Sequence, residues 1–292
     1  MPTGSARSRD DVGAMTTVEA PAKINLCLYL GPRLEDGYHL IASLFEPVTL
    51  SDSLTFSEAE RDEVVCPGVE GENLATRALR VLRSEGWDVP PMRIEIEKRI
   101  PVAAGLGGGS ADAAAVLRQA AGEVGDIGGI AALIGADVPS QIDPMACLVE
   151  GIGQKITSLP RPAEHWVVLL ATEPGLATPE VFERADRMEL SRKPGELPGI
   201  SERLWAVASS GVSPLEYPGL LVNDLEPAAI SLMPRIAEAK DRLADAGAGH
   251  VGMSGSGPTV FGLFPDRAGA ERAARDLGPE AILCEGGVAE PE

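Results

Sequence analysis

Aromatic residues and cysteines are both scarce in this sequence. Phe, Trp and Tyr make up 4% of the 292 residues, so we expect a core built mainly from Ala, Val, Leu and Ile. The four cysteines are scattered, with no C-x-x-C pair and no histidine close by; they are Cys27, Cys66, Cys147 and Cys284. This pattern argues against a structural zinc site and a disulfide framework, and it predicts a protein of the reducing cytoplasm.

The sequence also lacks long apolar runs, and it has far fewer basic than acidic residues. No apolar run is long enough to span a membrane, and residues 1–15 lack the apolar segment of a secretory signal. With 25 Lys and Arg against 44 Asp and Glu, the net charge is -19, which argues against binding to nucleic acid or an anionic membrane. An anionic substrate would need a local positive field from loop N–H groups, a few cationic side chains and a metal ion.

The length fits one large domain or two ordinary ones. We predict a disordered extension at 1–16 (a true start at Met15 fits the composition), an N-terminal domain at 17–162 and a C-terminal domain at 163–292. The irregular order of predicted strands and helices favours an α+β fold over a doubly wound sheet. Further expectations are separate strands at 38–45 and 50–56, a loop at 191–198, and one helix at 226–246 kinked at Pro234.

A glycine-rich stretch follows the predicted strand 93–98 and leads into an Ala-rich helix. It reads Pro-Val-Ala-Ala-Gly-Leu-Gly-Gly-Gly-Ser over residues 101–110, and Ser110 is the predicted N-cap. Glycines let backbone N–H groups approach a ligand, and a helix start favours an anion, so the stretch predicts a phosphate site. It is neither a Walker A loop nor a Rossmann fingerprint, and a turn without a ligand is the alternative.

Side chains at three other places are candidate ligands or catalytic groups. Lys23 and Asn25 share one face of the strand predicted at 20–30, although an ordinary lysine there would face solvent. Tyr38 and His39 follow an Asp-Gly turn, where they would stack on and hydrogen-bond a heterocycle or else be ordinary strand and surface residues. Asp137 precedes a proline and is a candidate general base, metal ligand or plain helix cap.

Two segments in the second half complete the candidates. Thr178 is the predicted N-cap of a helix that has Pro179 at its first position. The run Ser-Gly-Ser-Gly-Pro at 254–258 predicts a tight loop packed against something, with the first glycine stretch as the candidate. A G-x-G-x-x-G match at 247–252 follows a helix rather than a strand, so we reject a dinucleotide site there.

Three motifs occur in this sequence in a fixed order: Pro-Ala-Lys-Ile-Asn (21–25), Pro-x-x-x-Gly-Leu-Gly-Gly-Gly-Ser (101–110) and Gly-x-Ser-Gly-Ser-Gly-Pro-Thr (252–259). This is the order of the motifs in the GHMP kinase superfamily, which the chain resembles from about residue 18 to 284. The segments 21–26, 36–39 and 135–139 are similar to the 4-diphosphocytidyl-2-C-methyl-D-erythritol kinase family. The resemblance implies the two-domain GHMP kinase fold. Its N-terminal domain would be ribosomal protein S5 domain 2-like, and its C-terminal domain ferredoxin-like.

The resemblance also implies a function and site residues. The implied reaction moves the γ-phosphate of ATP, with Mg²⁺, to a hydroxyl of the methylerythritol moiety, in the non-mevalonate isoprenoid pathway. Asp137 would take the hydroxyl proton, and Lys23 would hold that carboxylate ionised and stabilise charge. The implied ATP-binding residues are Pro101, Gly105, Leu106, Gly107, Gly108, Gly109 and Ser110. The implied substrate-binding residues are Asn25, Tyr38, His39, Thr178, Phe182, Gly255, Ser256 and Gly257.

One segment departs from the family pattern. After Asp137-Val138-Pro139 the family continues with aromatic or apolar residues and a glycine-rich turn, whereas this chain reads Ser-Gln-Ile-Asp-Pro at 140–144. Two alternatives stay open: a homoserine- or mevalonate-type kinase, and an inactive nucleotide-binding relative. The expected partner is a small cytidine diphosphate-linked polyol, with no nucleic acid or membrane, and the expected state is a monomer or homodimer.

Overall fold

A computed structural model describes residues 15–69 and 71–287, so most of the predicted extension at 1–16 lies outside the described residues. Ten strands are present in this part of the chain: β1 (Thr16–Arg33), β2 (His39–Glu58), β3 (Glu63–Val65), β4 (Met92–Glu97), β5 (Cys147–Gly151), β6 (Lys155–Ser158), β7 (Trp166–Leu170), β8 (His250–Met253), β9 (Val260–Phe264) and β10 (Ala281–Glu285).

The same residues form nine α-helices: α1 (Leu74–Ser84), α2 (Gly108–Gln119), α3 (Ile127–Ile134), α4 (Val138–Ile142), α5 (Thr178–Arg187), α6 (Glu196–Ala208), α7 (Glu226–Leu232), α8 (Arg235–Asp245) and α9 (Arg267–Leu277). Short 3₁₀ turns occupy Pro214–Glu216 and Pro218–Leu220. None of the helices in the described residues is both long and apolar enough to cross a bilayer.

The chain divides into two compact units, and neither is continuous in sequence. The first comprises residues 1–20, 51–100 and 108–142, as far as they are described, and the second comprises 21–50, 101–107 and 143–292. The chain therefore passes from one unit to the other five times. The domain boundary between 162 and 163 stays a prediction, because compactness alone does not locate a family domain.

The first unit packs four helices against a small sheet. The second half of β2 pairs antiparallel with β4, from Ser53 opposite Glu97 to Glu58 opposite Met92, and β3 pairs parallel with β4. The Ala-rich α2 is buried on most sides, since alanine lets neighbouring helices approach closely. The leucines of α1 and the inward face of β4 complete this core.

The second unit contains a β-α-β-β-α-β arrangement. Strands β7, β8, β9 and β10 form an antiparallel sheet in the spatial order β10-β7-β9-β8. This is the order of a ferredoxin-like fold, which confirms that prediction for the C-terminal region. A core of aliphatic side chains lies between this sheet and helices α5, α7, α8 and α9.

Strand β2 is continuous, although two strands with a break were predicted. Its residues Ile41–Phe45 pair with β5, whereas Ser53–Glu58 pair with β4. Pro47, which has no N–H to donate, lies between these two paired stretches, and its carbonyl accepts from Gly287 N–H at 3.1 Å. The proline therefore lies outside the stretches of β2 that pair with β4 and β5.

Two helix predictions are wrong in detail. The helix predicted at 226–246 is two helices, α7 and α8, because Pro234 cannot donate the hydrogen bond that a continuous helix needs and occupies the N-cap position of α8. Residues 196–198, predicted as loop, begin α6. Its first turn follows Gly195, whose φ of +88° only glycine adopts readily.

Candidate active site

Lys23 and Asn25 are two residues apart on β1 and therefore point to the same side of the strand. Both are buried, at 5% and 2% exposure, so the alternative of a solvent-facing lysine is excluded. The Lys23 ammonium donates to Asn25 Oδ1 at 2.5 Å and lies 4.6 Å from the centre of the Phe45 ring. A buried ammonium held by an amide and an aromatic face is a preformed positive centre.

A serine that the motifs did not single out fixes the Asn25 amide. Asn25 Nδ2 donates to Ser43 Oγ at 3.0 Å, and Ser43 Oγ donates to the Cys27 carbonyl at 2.5 Å. With its NH₂ group turned to Ser43, the amide presents its oxygen to Lys23. Ser43 lies on β2, and only strand pairing brings it to β1, which explains why sequence spacing gave no signal.

The glycine stretch leaves β4 and enters α2 through a left-handed backbone. Ala103, Gly105 and Gly107 have φ values of +54°, +78° and +71°. Helix α2 begins at Gly108, so Ser110 lies inside the first turn and the predicted N-cap is wrong. A Cβ on Gly108 would lie 2.9 Å from Ile100 Cγ2, so the first turn packs closely against the residues that follow β4. The first N–H groups of the helix have no partner within the helix.

Backbone and side chain of Lys23 both hold this loop. The Lys23 N–H donates to the Leu106 carbonyl at 3.0 Å, and its ammonium donates to the Gly105 carbonyl at 3.3 Å. Pro101 begins the loop, and the carbonyl of Ala104 accepts from Thr259 N–H at 3.3 Å. These bonds tie Gly105 and Leu106 to the strand that carries the buried lysine, and Ala104 to the residue that precedes β9.

The second glycine loop packs against the first, which confirms that expectation. Ser254, fully buried, donates its hydroxyl to the Gly105 carbonyl at 2.9 Å and accepts from Asn25 N–H at 3.1 Å. Asn223 supports the loop by donating to the carbonyls of Met253 and Gly255, each at 2.8 Å. Ser254 therefore joins β1 and both glycine loops through one hydroxyl.

His39 packs against helix α5, which carries Phe182 and Thr178. His39 is 6% exposed, which excludes the surface alternative, and its ring centre lies 5.4 Å from that of Phe182 with the planes tilted by 41°. Its Nε2 lies 2.7 Å from Asp186 Oδ1. Tyr38 is 59% exposed at the end of the Asp-Gly turn, so its ring is available to an incoming ligand.

The start of α5 differs from the prediction. Ala177 occupies the N-cap position, Thr178 is the first helical residue and Pro179 the second. The Thr178 hydroxyl is instead within hydrogen-bond distance, 2.9 Å, of the Ser256 hydroxyl in the second glycine loop. Gly255 and Gly257, on either side of Ser256, have φ values of +58° and +79°.

Asp137 directly precedes α4 in the first unit. Its carbonyl accepts from Ser140 Oγ at 2.8 Å, and the carbonyl of Gln141 accepts from Arg118 at 2.7 Å. Residues 140–142 of the segment that departs from the family pattern thus form the second part of α4, the short helix that follows Asp137. The role of Asp137 as base, ligand or cap stays a prediction.

Comparison with known proteins gives a consistent result. The family model described as GHMP kinases N terminal domain matches residues 73–151, and the one described as GHMP kinases C terminal matches 215–281. A 4-diphosphocytidyl-2-C-methyl-D-erythritol kinase from Sinorhizobium medicae is 38% identical over 288 residues, covering 91% of each chain. One from Anaeromyxobacter sp. is 39% identical, covering 90% of this chain and 87% of the relative.

The chain belongs to the GHMP kinase family. Within this family it groups with the 4-diphosphocytidyl-2-C-methyl-D-erythritol kinases, so it is a small-molecule kinase that uses a nucleotide. A crystal structure of 4-(cytidine 5'-diphospho)-2C-methyl-D-erythritol kinase superposes with a TM-score of 0.77 at 33% identity, covering 94% of this chain and all of the other. A homoserine kinase from Cytophaga hutchinsonii, 18% identical with a TM-score of 0.69 and 98% of each chain covered, shares the fold.

A buried cluster of charged side chains lies at the start of α2, and none of its members belongs to the GHMP kinase motifs. Lys98 bridges the carboxylates of Asp52 and Asp112, the latter at 2.8 Å, and Asp52 also accepts from the N–H groups of Arg99 and Ile100. Burial raises the pKa of Asp112 to about 7; Lys98 opposes this shift and Asp52 adds to it. The cluster ties the end of β4 to the first turns of α2.

Proposed function

We propose that this kinase transfers the γ-phosphoryl group of ATP to a hydroxyl of 4-diphosphocytidyl-2-C-methyl-D-erythritol and forms the 2-phosphate, a step of non-mevalonate isoprenoid synthesis. The observation that supports this substrate best is the ring contact of His39 with Phe182 beside the exposed Tyr38. An aromatic and imidazole site suits a nucleobase, and a homoserine or mevalonate substrate has no base to place there.

In this proposal the glycine stretch binds the ATP phosphates. The positive φ values at Gly105 and Gly107 turn the backbone, and the start of α2 supplies N–H groups and the positive end of the helix dipole. Pro101, Leu106, Gly108, Gly109 and Ser110 complete that site. Gly255, Ser256 and Gly257 would close on the substrate, with Thr178 anchoring Ser256 through its hydroxyl.

Lys23 and Asp137 are the two proposed catalytic residues. The substrate hydroxyl loses its proton to the Asp137 carboxylate while its oxygen bonds to the γ-phosphorus and the bond from that phosphorus to ADP breaks. Phosphoryl transfer depends mainly on positioning and charge stabilisation, so the ammonium of Lys23 would offset charge on the reacting oxygens. Asn25 would orient that ammonium through the 2.5 Å hydrogen bond.

Mg²⁺ would enter this site with the nucleotide. No group of three or more His, Cys, Asp or Glu side chains within residues 15–69 and 71–287 is arranged to hold a metal ion. Magnesium commonly takes most of its ligands from substrate phosphates and water, so a bound nucleotide complex fits this chain. A cytoplasmic location and a monomer or homodimer state remain predictions.

The test is turnover by the purified protein and its Asp137→Asn variant, with ATP, Mg²⁺ and the cytidine-linked substrate, and with homoserine and mevalonate in parallel. We expect turnover of the cytidine-linked substrate alone and a fall in kcat of about 10²–10⁴-fold in the variant, the size of general-base catalysis. Asp241→Asn, which removes an exposed carboxylate on α8, is the matched control and should keep full activity.

Each other result has a definite meaning. Full activity of Asp137→Asn would refute the general-base role. Turnover of homoserine or mevalonate instead would refute the substrate and support the alternative kinase. ATP binding without turnover of any of the three would support an inactive relative.

A further inference from the structure

Helix α5 presents three residues at a spacing of four: Thr178, Phe182 and Asp186. Such residues lie on one face of a helix, one turn apart. Thr178 contacts Ser256, while Phe182 and Asp186 both contact His39. Asp186 is the member of this row that neither the motifs nor the family resemblance assigned.

Asp186 holds the His39 imidazole at one nitrogen. The distance from Nε2 to Oδ1 is 2.7 Å, and the His39 side chain is 3% exposed. The other carboxylate oxygen lies 3.5 Å from the guanidinium of Arg33, whose side chain is 60% exposed. An ionised carboxylate can only accept hydrogen bonds, so the hydrogen of a neutral imidazole must be on Nε2.

The contact with Asp186 determines whether Nδ1 of His39 donates or accepts a hydrogen bond. In a neutral imidazole with its hydrogen on Nε2, Nδ1 is a hydrogen-bond acceptor. Within the described residues no group hydrogen-bonds to Nδ1, and it is not one of the fully buried polar atoms. A ligand can therefore approach the acceptor side of His39 while Phe182 lies against the ring.

We infer that Asp186 is a positioning residue that makes this site prefer cytosine over uracil, by holding His39 in the form whose Nδ1 accepts a hydrogen bond. Cytosine carries an amino group, a donor, where uracil carries a carbonyl oxygen, an acceptor. The amino group pairs with Nδ1, whereas the carbonyl oxygen would face a lone pair. This inference rests on the proposed function, since it takes the cytidine base to bind beside His39.

The first test compares binding of CDP and UDP to the full chain by isothermal titration calorimetry. The parent should prefer CDP. Asp186→Asn should weaken CDP binding about tenfold and leave UDP binding unchanged or stronger, because an amide can donate to Nε2 and so release the other tautomer. Glu183→Gln, which removes an exposed carboxylate of the same helix that pairs with Arg187, should keep the parent's preference.

The second test determines by NMR which ring nitrogen of His39 carries the hydrogen. The chain has three histidines, so two-bond ¹H–¹⁵N spectra at alkaline pH resolve His39 once a His39→Gln variant assigns it. The parent and Glu183→Gln should show hydrogen on Nε2, and Asp186→Asn should show a mixture.

Two outcomes would overturn the inference: an unchanged ratio of CDP to UDP affinity in Asp186→Asn, or a parent imidazole with hydrogen on Nδ1. Equal weakening of both nucleotides is one form of the first outcome, and it would mean a merely structural role for Asp186. A parent that turns over the cytidine-linked substrate but fails either test refutes only the role of Asp186. A parent without that turnover refutes the proposed function itself.

Discussion

Replacing Gly105 with alanine should separate the two glycine loops. Gly105 has a φ of +78°, and a Cβ there would lie 2.5 Å from the Ser254 carbonyl oxygen and 3.0 Å from that of Gly257. Both are backbone atoms, so no rotamer change relieves the overlap. The loops must move apart, and the hydrogen bond from Ser254 to the Gly105 carbonyl must lengthen.

The size of the effect follows from a matched glycine elsewhere. Gly247 has a φ of +91° with no atom within 4 Å of its Cβ position, so Gly247→Ala reports backbone strain alone, about 1–2 kcal/mol. Gly105→Ala adds overpacking, which costs about 1–3 kcal/mol. We therefore expect Gly105→Ala to destabilise the protein by about 2–5 kcal/mol and to raise the KM for ATP, whereas Gly247→Ala leaves that KM unchanged.

Urea unfolding measures the free energy of unfolding, with tryptophan fluorescence and circular dichroism as the two signals. Steady-state kinetics measures the KM for ATP. If Gly105→Ala lost no more stability than Gly247→Ala, the close approach of the two loops would be wrong. If it lost stability with an unchanged KM for ATP, the loop would have no part in nucleotide binding.

Two further predictions concern pH. The pKa of Asp112 is raised to about 7, so the folded state binds more protons than the unfolded state between about pH 4 and pH 7. The free energy of unfolding should therefore fall as pH rises from about 4 to about 7. In urea titrations, Asp112→Asn should reduce this fall by on the order of 2–4 kcal/mol. Burial opposes charge on His165, but the Glu46 carboxylate, 3.0 Å from Nε2, raises its pKa overall. That pair should therefore stabilise the protein below pH 6.5 and lose its effect as pH rises through the raised pKa; Glu46→Gln should remove the dependence, and an unchanged stability profile would refute the pairing.

Local sequence patterns predicted much of the fold. The alternation of apolar and polar residues in β4 encodes one element within a few residues, and the structure places the strand predicted at 93–98 at Met92–Glu97. Sequence patterns did not predict α4, which follows Asp137, or the edge strand β3. Each has five or fewer residues, which is too few to show a hydrophobic periodicity. Gly108 starts α2 despite its poor helix propensity, and residues 111–117 that follow it are all buried.

The candidate site could be predicted only in part. Three motifs located Lys23, the glycine stretch and the loop at 254–257, because each is contiguous in sequence. Ser43 and Asp186 had no such signal, since each acts on a residue of another segment; Asp186 lies 147 positions from His39. The four-residue spacing of Thr178, Phe182 and Asp186 predicts a shared helix face but not the contact of Asp186 with His39.

The five passages of the chain between its two compact units limit how the enzyme can be recombined. A single crossover between two related genes that falls between residues 21 and 142 leaves each of the two units with parts from both parents. A chimera that exchanges the first unit intact must replace three separate segments and keep five junctions in register. Laboratory shuffling of this family should therefore favour crossovers after residue 143, where one unbroken segment runs to the end of the second unit.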